Sequence, residues 1–267
     1  MYNKKTGVCF NSEFQNTFPP LNHPTPTQPN TEVPMVSVAL AAYKGEAYIE
    51  EQLRSILPQL SHEDEIVVSD DKPGGETERI VRRVMADDPR VLYMEGPGRG
   101  VAANFVNAIR ACKGDKIFLC DQDDVWLPDK VRRIMAAFDG GATLVLHNAY
   151  VTDKDLNITD YSFFEKRGSK RGFLRNIVKN SYMGCCMAFD RKLLKHILPM
   201  PKYIPMHDQW IGLMGEVYGK VVLIDTPLIY YRVHGGNVTG KATTTQQKIN
   251  WRKYLIKRLF GRILLGR

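Results

Sequence analysis

Lys116-Ile117-Phe118-Leu119-Cys120-Asp121-Gln122-Asp123-Asp124-Val125-Trp126 opens as an apolar run and breaks abruptly into three carboxylates within four residues. The short apolar run reads as a buried strand, so Asp121, Asp123 and Asp124 emerge from the core at its carboxyl end. Crowded carboxylates raise one another's pKa unless a cation compensates. A hard divalent ion, Mg2+ or Mn2+, is the natural compensator, and magnesium in particular is held by one or two carboxylates together with substrate phosphates. The plainer alternative is that these aspartates are solvated or cap the helix beginning near Pro128, a favourable first-turn residue.

Three strand-helix units precede this one. Val36 to Ala42 is followed by Ile49, Leu53, Ile56, Leu57 and Leu60 at helical spacing. Glu65 to Ser69 leads to Ile80, Val81, Val84 and Met85, and Val91 to Met94 leads to Val101, Phe105, Val106 and Ile109. Val131, Ile134, Met135 and Phe138 supply the helix of the fourth unit. Such repetition predicts a parallel sheet covered on both faces, with ligands at the carboxyl ends of the strands. Those ends are polar or flexible at Ala42-Tyr43-Lys44-Gly45, at Ser69-Asp70-Asp71 and at Asp121 to Asp124. After Thr143 to Leu146 a less regular half follows, with Gly184, a helix over Asp208 to Tyr218 and a strand over Val221 to Asp225, expected to complete the pocket.

With 267 residues and 43% hydrophobic content, the chain is long enough for a sizeable core. Residues 1–34, rich in Asn, Thr and Pro, are expected to form a disordered leader. The longest uncharged apolar stretch, around Val36 to Ala42, is far shorter than the roughly 20 residues of a membrane span. No signal-peptide pattern follows Lys4 and Lys5, so a cytosolic location is expected. Five cysteines without a C-x-x-C pair suggest buried thiols rather than zinc ligands or a disulfide framework. The net charge of +8 is concentrated in residues 226–267, which hold nine Lys or Arg and no acid, leaving about −1 elsewhere. That distribution argues against a nucleic-acid groove over the fold and for a tail that meets an anionic surface.

In this tail, residues 241–267, Trp251, Tyr254, Leu255, Leu259, Ile263 and Leu264 are expected on one helical face, surrounded by Arg252, Lys253, Lys257, Arg258 and Arg262. The pattern fits a membrane-surface helix and equally a helix docked on the domain.

The segments Val36 to Tyr43, Glu65 to Asp71 and Asp121-Gln122-Asp123-Asp124-Val125-Trp126, with Pro128 and Lys130, resemble glycosyltransferase family 2. The Asp-Gln-Asp-Asp-x-Trp form is most similar to the rhamnosyltransferase-like members. The resemblance covers residues 35–240 and implies a GT-A type α/β nucleotide-binding sandwich, its mainly parallel central sheet covered by helices. Residues 35–140 would form the nucleotide-sugar half and 141–240 the acceptor half.

The resemblance also implies an inverting, metal-dependent transfer from a UDP- or dTDP-sugar donor to a glycan or lipid-linked acceptor in polysaccharide synthesis. Asp71 would accept from N3 of uracil or thymine, with Ala42 and Tyr43 lining the base; Lys72-Pro73-Gly74-Gly75 departs from the family's usual loop there. Asn104, Gln122 and Arg232 would contact the donor. Asp121, Asp123 and His234 would hold the metal, Asp121 also facing the ribose. Asp208 would be the catalytic base, a position that by local sequence is equally a helix cap. Gly184, His207 and Trp210 would shape the acceptor pocket.

Three rivals remain at this point. Gly96-Pro97-Gly98-Arg99-Gly100 is placed like a dinucleotide loop, but Val101 stands where the third glycine belongs and Pro97 has no N–H to donate. A nucleotidyltransferase would need a basic triphosphate loop, for which only Lys44-Gly45 is available. A non-catalytic carbohydrate-binding protein would bind sugar without metal or nucleotide.

Overall fold

In the computed structural model, residues 34–204, 206–237 and 244–265 are described. The expected leader, apart from Pro34, lies outside them, as does Cys9. The first half follows the predicted alternation: β1 (Val36–Ala42), α1 (Ile49–Ile56), β2 (Glu65–Asp70), α2 (Glu76–Asp87), β3 (Val91–Glu95), α3 (Val101–Ala111), β4 (Lys116–Asp121) and β5 (Val125–Trp126), then α4 (Lys130–Asp139). Every residue of β1 and β2 is buried, as strands covered on both faces must be. Side chains alternate across the sheet: Val36, Val38, Leu40 and Ala42 pack with α1, α2 and α4, whereas Ala39 and Ala41 face α3.

The second half contains β6 (Leu144–Thr152), β7 (Ile158–Asp160), α5 (Phe163–Arg167), α6 (Phe173–Val178), β8 (Met187–Asp190), α7 (Leu194–Ile197), α8 (His207–Tyr218), β9 (Val221–Arg232) and α9 (Thr245–Leu265). One nine-stranded sheet runs β3-β2-β1-β4-β8-β6-β9-β5, with β7 added beside β6. Strands β3, β2, β1 and β4 are mutually parallel; β8 runs antiparallel to both β4 and β6 and joins the halves. This is the α/β sandwich expected from the sequence.

Strand β9 is longer than the predicted Val221 to Asp225. It continues through Pro227 because register shifts on β6 near Asn148 absorb the irregularity, and Asn148 Nδ2 donates to the Asp225 carbonyl at 3.0 Å. Its far end pairs with β5 and so reaches the acidic loop. Among the described residues no helix is long and apolar enough to cross a membrane.

The tail helix differs from its expected form. Leu255 and Leu259 are buried in the same cluster as Trp210, and Arg262 donates to the carbonyls of Leu198 and Pro199. These residues are therefore a docking face, while Phe260 and Leu264 turn outward.

Candidate active site

The strand registers bring the polar ends level. Ala42 lies beside Asp70 and Ala41 beside Asp121, so the termini of β1, β2 and β4 form one edge. Beyond β4 the chain turns through Gln122 to Asp124 into β5. Burial, then the negative charges of Asp123 and Asp208, pushes Asp121 up to about 7. The same causes, with Asp123 and Asp121 as the neighbours, hold Asp124 well above the usual carboxylate range. Asp124 Oδ1 accepts from the Arg232 backbone N–H at 3.1 Å, whereas its buried Oδ2 has no hydrogen-bond partner among the described residues. On the outer side of the loop, Asp123 Oδ2 lies 2.8 Å from His234 Nε2 and 3.4 Å from Asn237 Nδ2. The predicted metal residues Asp123 and His234 thus meet directly, and Asp121 interacts electrostatically with Asp123.

Arg232 does not have the expected phosphate-facing role. Its guanidinium is buried over the Tyr48 ring and donates to the Asp123 carbonyl at 2.9 Å, the Lys154 carbonyl at 2.7 Å and the Glu51 carboxylate. With its donors committed inside the protein, it fixes the acidic loop instead of reaching a diphosphate.

At the carboxyl end of β1, Gln122 pairs its amide with the Tyr43 backbone: Tyr43 N–H donates to Oε1 at 2.7 Å, and Nε2 donates to the Tyr43 carbonyl at 3.0 Å. The Tyr43 ring itself is exposed, next to the edge formed by Ala42. Asn104 corrects another expectation. Nδ2 donates to the carbonyls of Ala42 and Ser69, both at 2.9 Å, and Oδ1 accepts from the Ser69 hydroxyl at 2.6 Å. This fully buried amide clamps β1 to β2 and is not presented to a donor. Asp71 accepts from the N–H groups of Gly98 and Gly100, each at 2.7 Å. Those glycine amides consequently cradle a carboxylate of the protein, which removes the structural basis for a dinucleotide loop.

In the second half, Asp208 is the second residue of α8 rather than its cap; Met206 occupies that position. Asp208 Oδ1 accepts from the Gln209 N–H at 2.6 Å and from Asn180 Nδ2 at 3.2 Å. Burial nevertheless pushes it up to about 6. His207 stacks on Phe105 with ring centroids 4.1 Å apart, and burial drives it down to about 4, so it is neutral at physiological pH. Its Nε2 abuts Gly184, where an added Cβ would lie 2.6 Å from that nitrogen. Gly184 therefore admits a neighbouring ring, a requirement of packing. Trp210 is a core residue: it is fully buried and donates its indole N–H to the Ile197 carbonyl at 2.9 Å. It does not line an acceptor pocket.

Residues 37–198 match the family described as Glycosyl transferase family 2. The chain belongs to this family. Family 2 relatives include an uncharacterized glycosyltransferase of Nostoc sp., 24% identical over 80% of this chain and 70% of that one. UDP-Glc:alpha-D-GlcNAc-diphosphoundecaprenol beta-1,3-glucosyltransferase WfaP of Escherichia coli is 28% identical over 77% of this chain and 80% of its own. By contrast, the match to chondroitin synthase of Escherichia coli spans just 18% of that protein. Among solved structures, S. aureus TarS 1–349 in complex with UDP-GlcNAc is similar with a TM-score of 0.66 at 16% identity, covering 86% of this chain and 67% of that chain. Mannosyltransferase PcManGT from Pyrobaculum calidifontis, in complex with GDP-Man and Mn2+, gives a TM-score of 0.53 at 22% identity, covering 79% and 59%. These likenesses identify the fold as that of the GT-A glycosyltransferases.

The donor set of this family 2 transferase suits a hard cation: Asp121 and Asp123 offer oxygens, His234 a nitrogen, and the Asp124 Oδ2 atom, buried without a hydrogen-bond partner among the described residues, is a further oxygen nearby. Cys185 approaches Asp121 and Asp124, with their ligand atoms within 4.8 Å of one another. Its hydrogen bond with Cys186, together with burial, holds this thiol well above its ordinary pKa. It remains protonated and is a poor ligand for Mg2+ or Mn2+. The sequence reading gave the cysteine pair no role, because nothing local ties it to the aspartates. Lys130 entered the sequence reading as part of the resembling motif but without a role; its ammonium is buried 3.9 Å from the centroid of the Trp126 ring, donates to the Cys185 carbonyl at 3.1 Å and lies near Asp124.

Proposed function

We propose that this chain transfers a sugar, by a single inverting displacement, from a UDP- or dTDP-sugar to a glycan hydroxyl, which the acceptor named for WfaP suggests is carried on a lipid diphosphate. The observation that carries the reading is geometric: the ends of β1, β2 and β4 form one edge, Asp123 meets His234 there at 2.8 Å, and Asp208 on α8 is near enough to Asp121 for the two carboxylates to repel each other. A putting-together of donor-side and acceptor-side carboxylates at one edge is what a displacement between two sugars requires.

Asp121, Asp123 and His234 would hold Mg2+ or Mn2+, which when bound offsets the charge of the departing diphosphate. Tyr43, held in place by Gln122, and the Ala42 edge line the base, and Asp71 retains acceptor capacity beside its two glycine bonds. Asp208, with its pKa near 6, is mostly ionised at neutral pH and suited to take the proton of the acceptor hydroxyl as its oxygen attacks. Asn180 and the Gln209 N–H orient that carboxylate. We place the reaction in the cytosol. Thermal-shift screening of UDP-, dTDP- and GDP-sugars with and without Mn2+ tests the donor reading, because a ligand that binds the native state stabilises it. Stabilisation by GDP-sugars alone would overturn the base assignment, and metal-independent sugar binding without nucleotide would overturn the enzyme reading.

A further inference from the structure

Helix α9 has two apolar faces, and among the described residues just one is covered. At about 100° per residue, Ile249, Ile256, Phe260 and Leu264 fall within a stripe about 80° wide, whereas Leu255, Leu259 and Arg262 turn the other way into the protein. On the outer stripe Phe260 is 60% and Leu264 69% exposed. Lys253 lies within it and Lys257 at its edge. Along the neighbouring α6, Leu174 is 76% and Val178 64% exposed. The two helices are tied together: the Arg252 guanidinium donates twice to the Val178 carbonyl, at 3.0 and 2.7 Å.

Their charge has one sign. Residues 166–180 hold six Lys or Arg without an acid, and α9 holds another six without an acid. Exposed apolar side chains interleaved with lysines are costly to leave in water and match a bilayer interface bearing negative headgroups. A second copy of the same surface would bring like charges together.

We infer that the outer face of α9, together with Leu174 and Val178 on α6, seats the protein on an anionic membrane. The surface adjoins the acceptor side of the site: two residues after Val178, Asn180 donates to Asp208 at 3.2 Å. The membrane is thereby placed beside the carboxylate that activates the acceptor, a consequence that rests on the transferase reading proposed above. Docking itself needs neither donor nor turnover.

The test is cosedimentation of the full chain with vesicles of phosphatidylcholine, with or without phosphatidylglycerol. Binding should require phosphatidylglycerol and weaken with added salt. Phe260→Asp with Leu264→Asp should reduce the vesicle-bound fraction at least about tenfold, and Lys253→Gln with Lys257→Gln should weaken binding by about fivefold per residue. Both double variants should keep the wild-type unfolding temperature within a few degrees, since neither touches the buried face. Leu174→Asp supplies an independent variant on α6. Asp208→Asn protein should bind vesicles like wild type even when inactive, so failure of the transferase reading stays distinguishable. Equal binding to neutral vesicles, no binding to either kind, undiminished binding by the Phe260 and Leu264 variant, or a solution dimer dissolved by that variant would each overturn the proposal.

Discussion

Replacing Asp208 by Asn should make the protein slower and more stable at once. The pKa of about 6, against 3.8 for an ordinary Asp, means that the folded state holds this proton more tightly than the unfolded chain. An Asp with a raised pKa carries no penalty below about pH 4, where both states are protonated, and a growing one as pH climbs to about 6. The shift of 6 − 3.8 is about 2 pKa units, or about 3 kcal/mol at neutral pH. Asn keeps an oxygen for the Gln209 N–H and Asn180 Nδ2 and removes the partly desolvated charge. It also removes one of the charges raising Asp121.

At about 2–4 °C per kcal/mol for a domain of this size, the variant should unfold roughly 6–12 °C higher at pH 7, with the difference vanishing near pH 4. Turnover should fall by about 10²–10⁴, the usual contribution of a general base, while nucleotide-sugar affinity is retained. Calorimetric scans of both proteins across pH 4 to 7.5, paired with single-turnover transfer assays, measure the two effects separately. Normal turnover refutes the base assignment. A pH-independent difference in unfolding temperature refutes the attribution of the raised pKa to burial.

Asp123→Ala should abolish Mn2+-dependent stabilisation by the donor nucleotide in a thermal-shift assay while leaving the metal-free unfolding temperature nearly unchanged. Asn104→Ala removes three buried hydrogen bonds and should destabilise by about 2–4 kcal/mol in urea titration; a loss of donor affinity without loss of stability would restore its expected ligand role. Trp210→Ala should cost about 3–5 kcal/mol as a core truncation, whereas an acceptor contact would raise the acceptor KM at unchanged stability. Arg232→Met should lower stability and metal-dependent binding together, because the guanidinium holds both the Asp123 carbonyl and Glu51.

The first half was legible because its strands are short apolar runs followed by helices with a clear face; β1, buried throughout, is the plainest case. Strand β8 and helices α5 to α7 span four to six residues each, too short to display a period, and the sequence reading passed over them. Motif order put Asp123 and His234 together, and the structure sets their side chains 2.8 Å apart although 111 positions separate them. Asn104 and Arg232 were misread for a shared reason: a polar side chain near a binding edge looks the same in sequence whether it faces a ligand or braces the backbone beside it. Which of the two it does depends on partners distant in the chain, Ala42 for Asn104 and Lys154 for Arg232. Likewise, the apolar periodicity of α9 could not show that its hydrophobic residues divide between two opposing surfaces.

Gln122 deserves a mechanical description. It stands between the two loop aspartates in sequence, yet both ends of its amide grip the backbone at Tyr43. On the reading proposed above, any shift of Asp121 or Asp123 on receiving a cation would be transmitted to Tyr43, and closure of Tyr43 around a base would pull back on the aspartates. Reciprocity follows from linkage: whatever factor the cation contributes to nucleotide affinity, the nucleotide returns to cation affinity. Gln122 acts as a tie rod, and cutting it should leave two half-sites that bind their ligands independently.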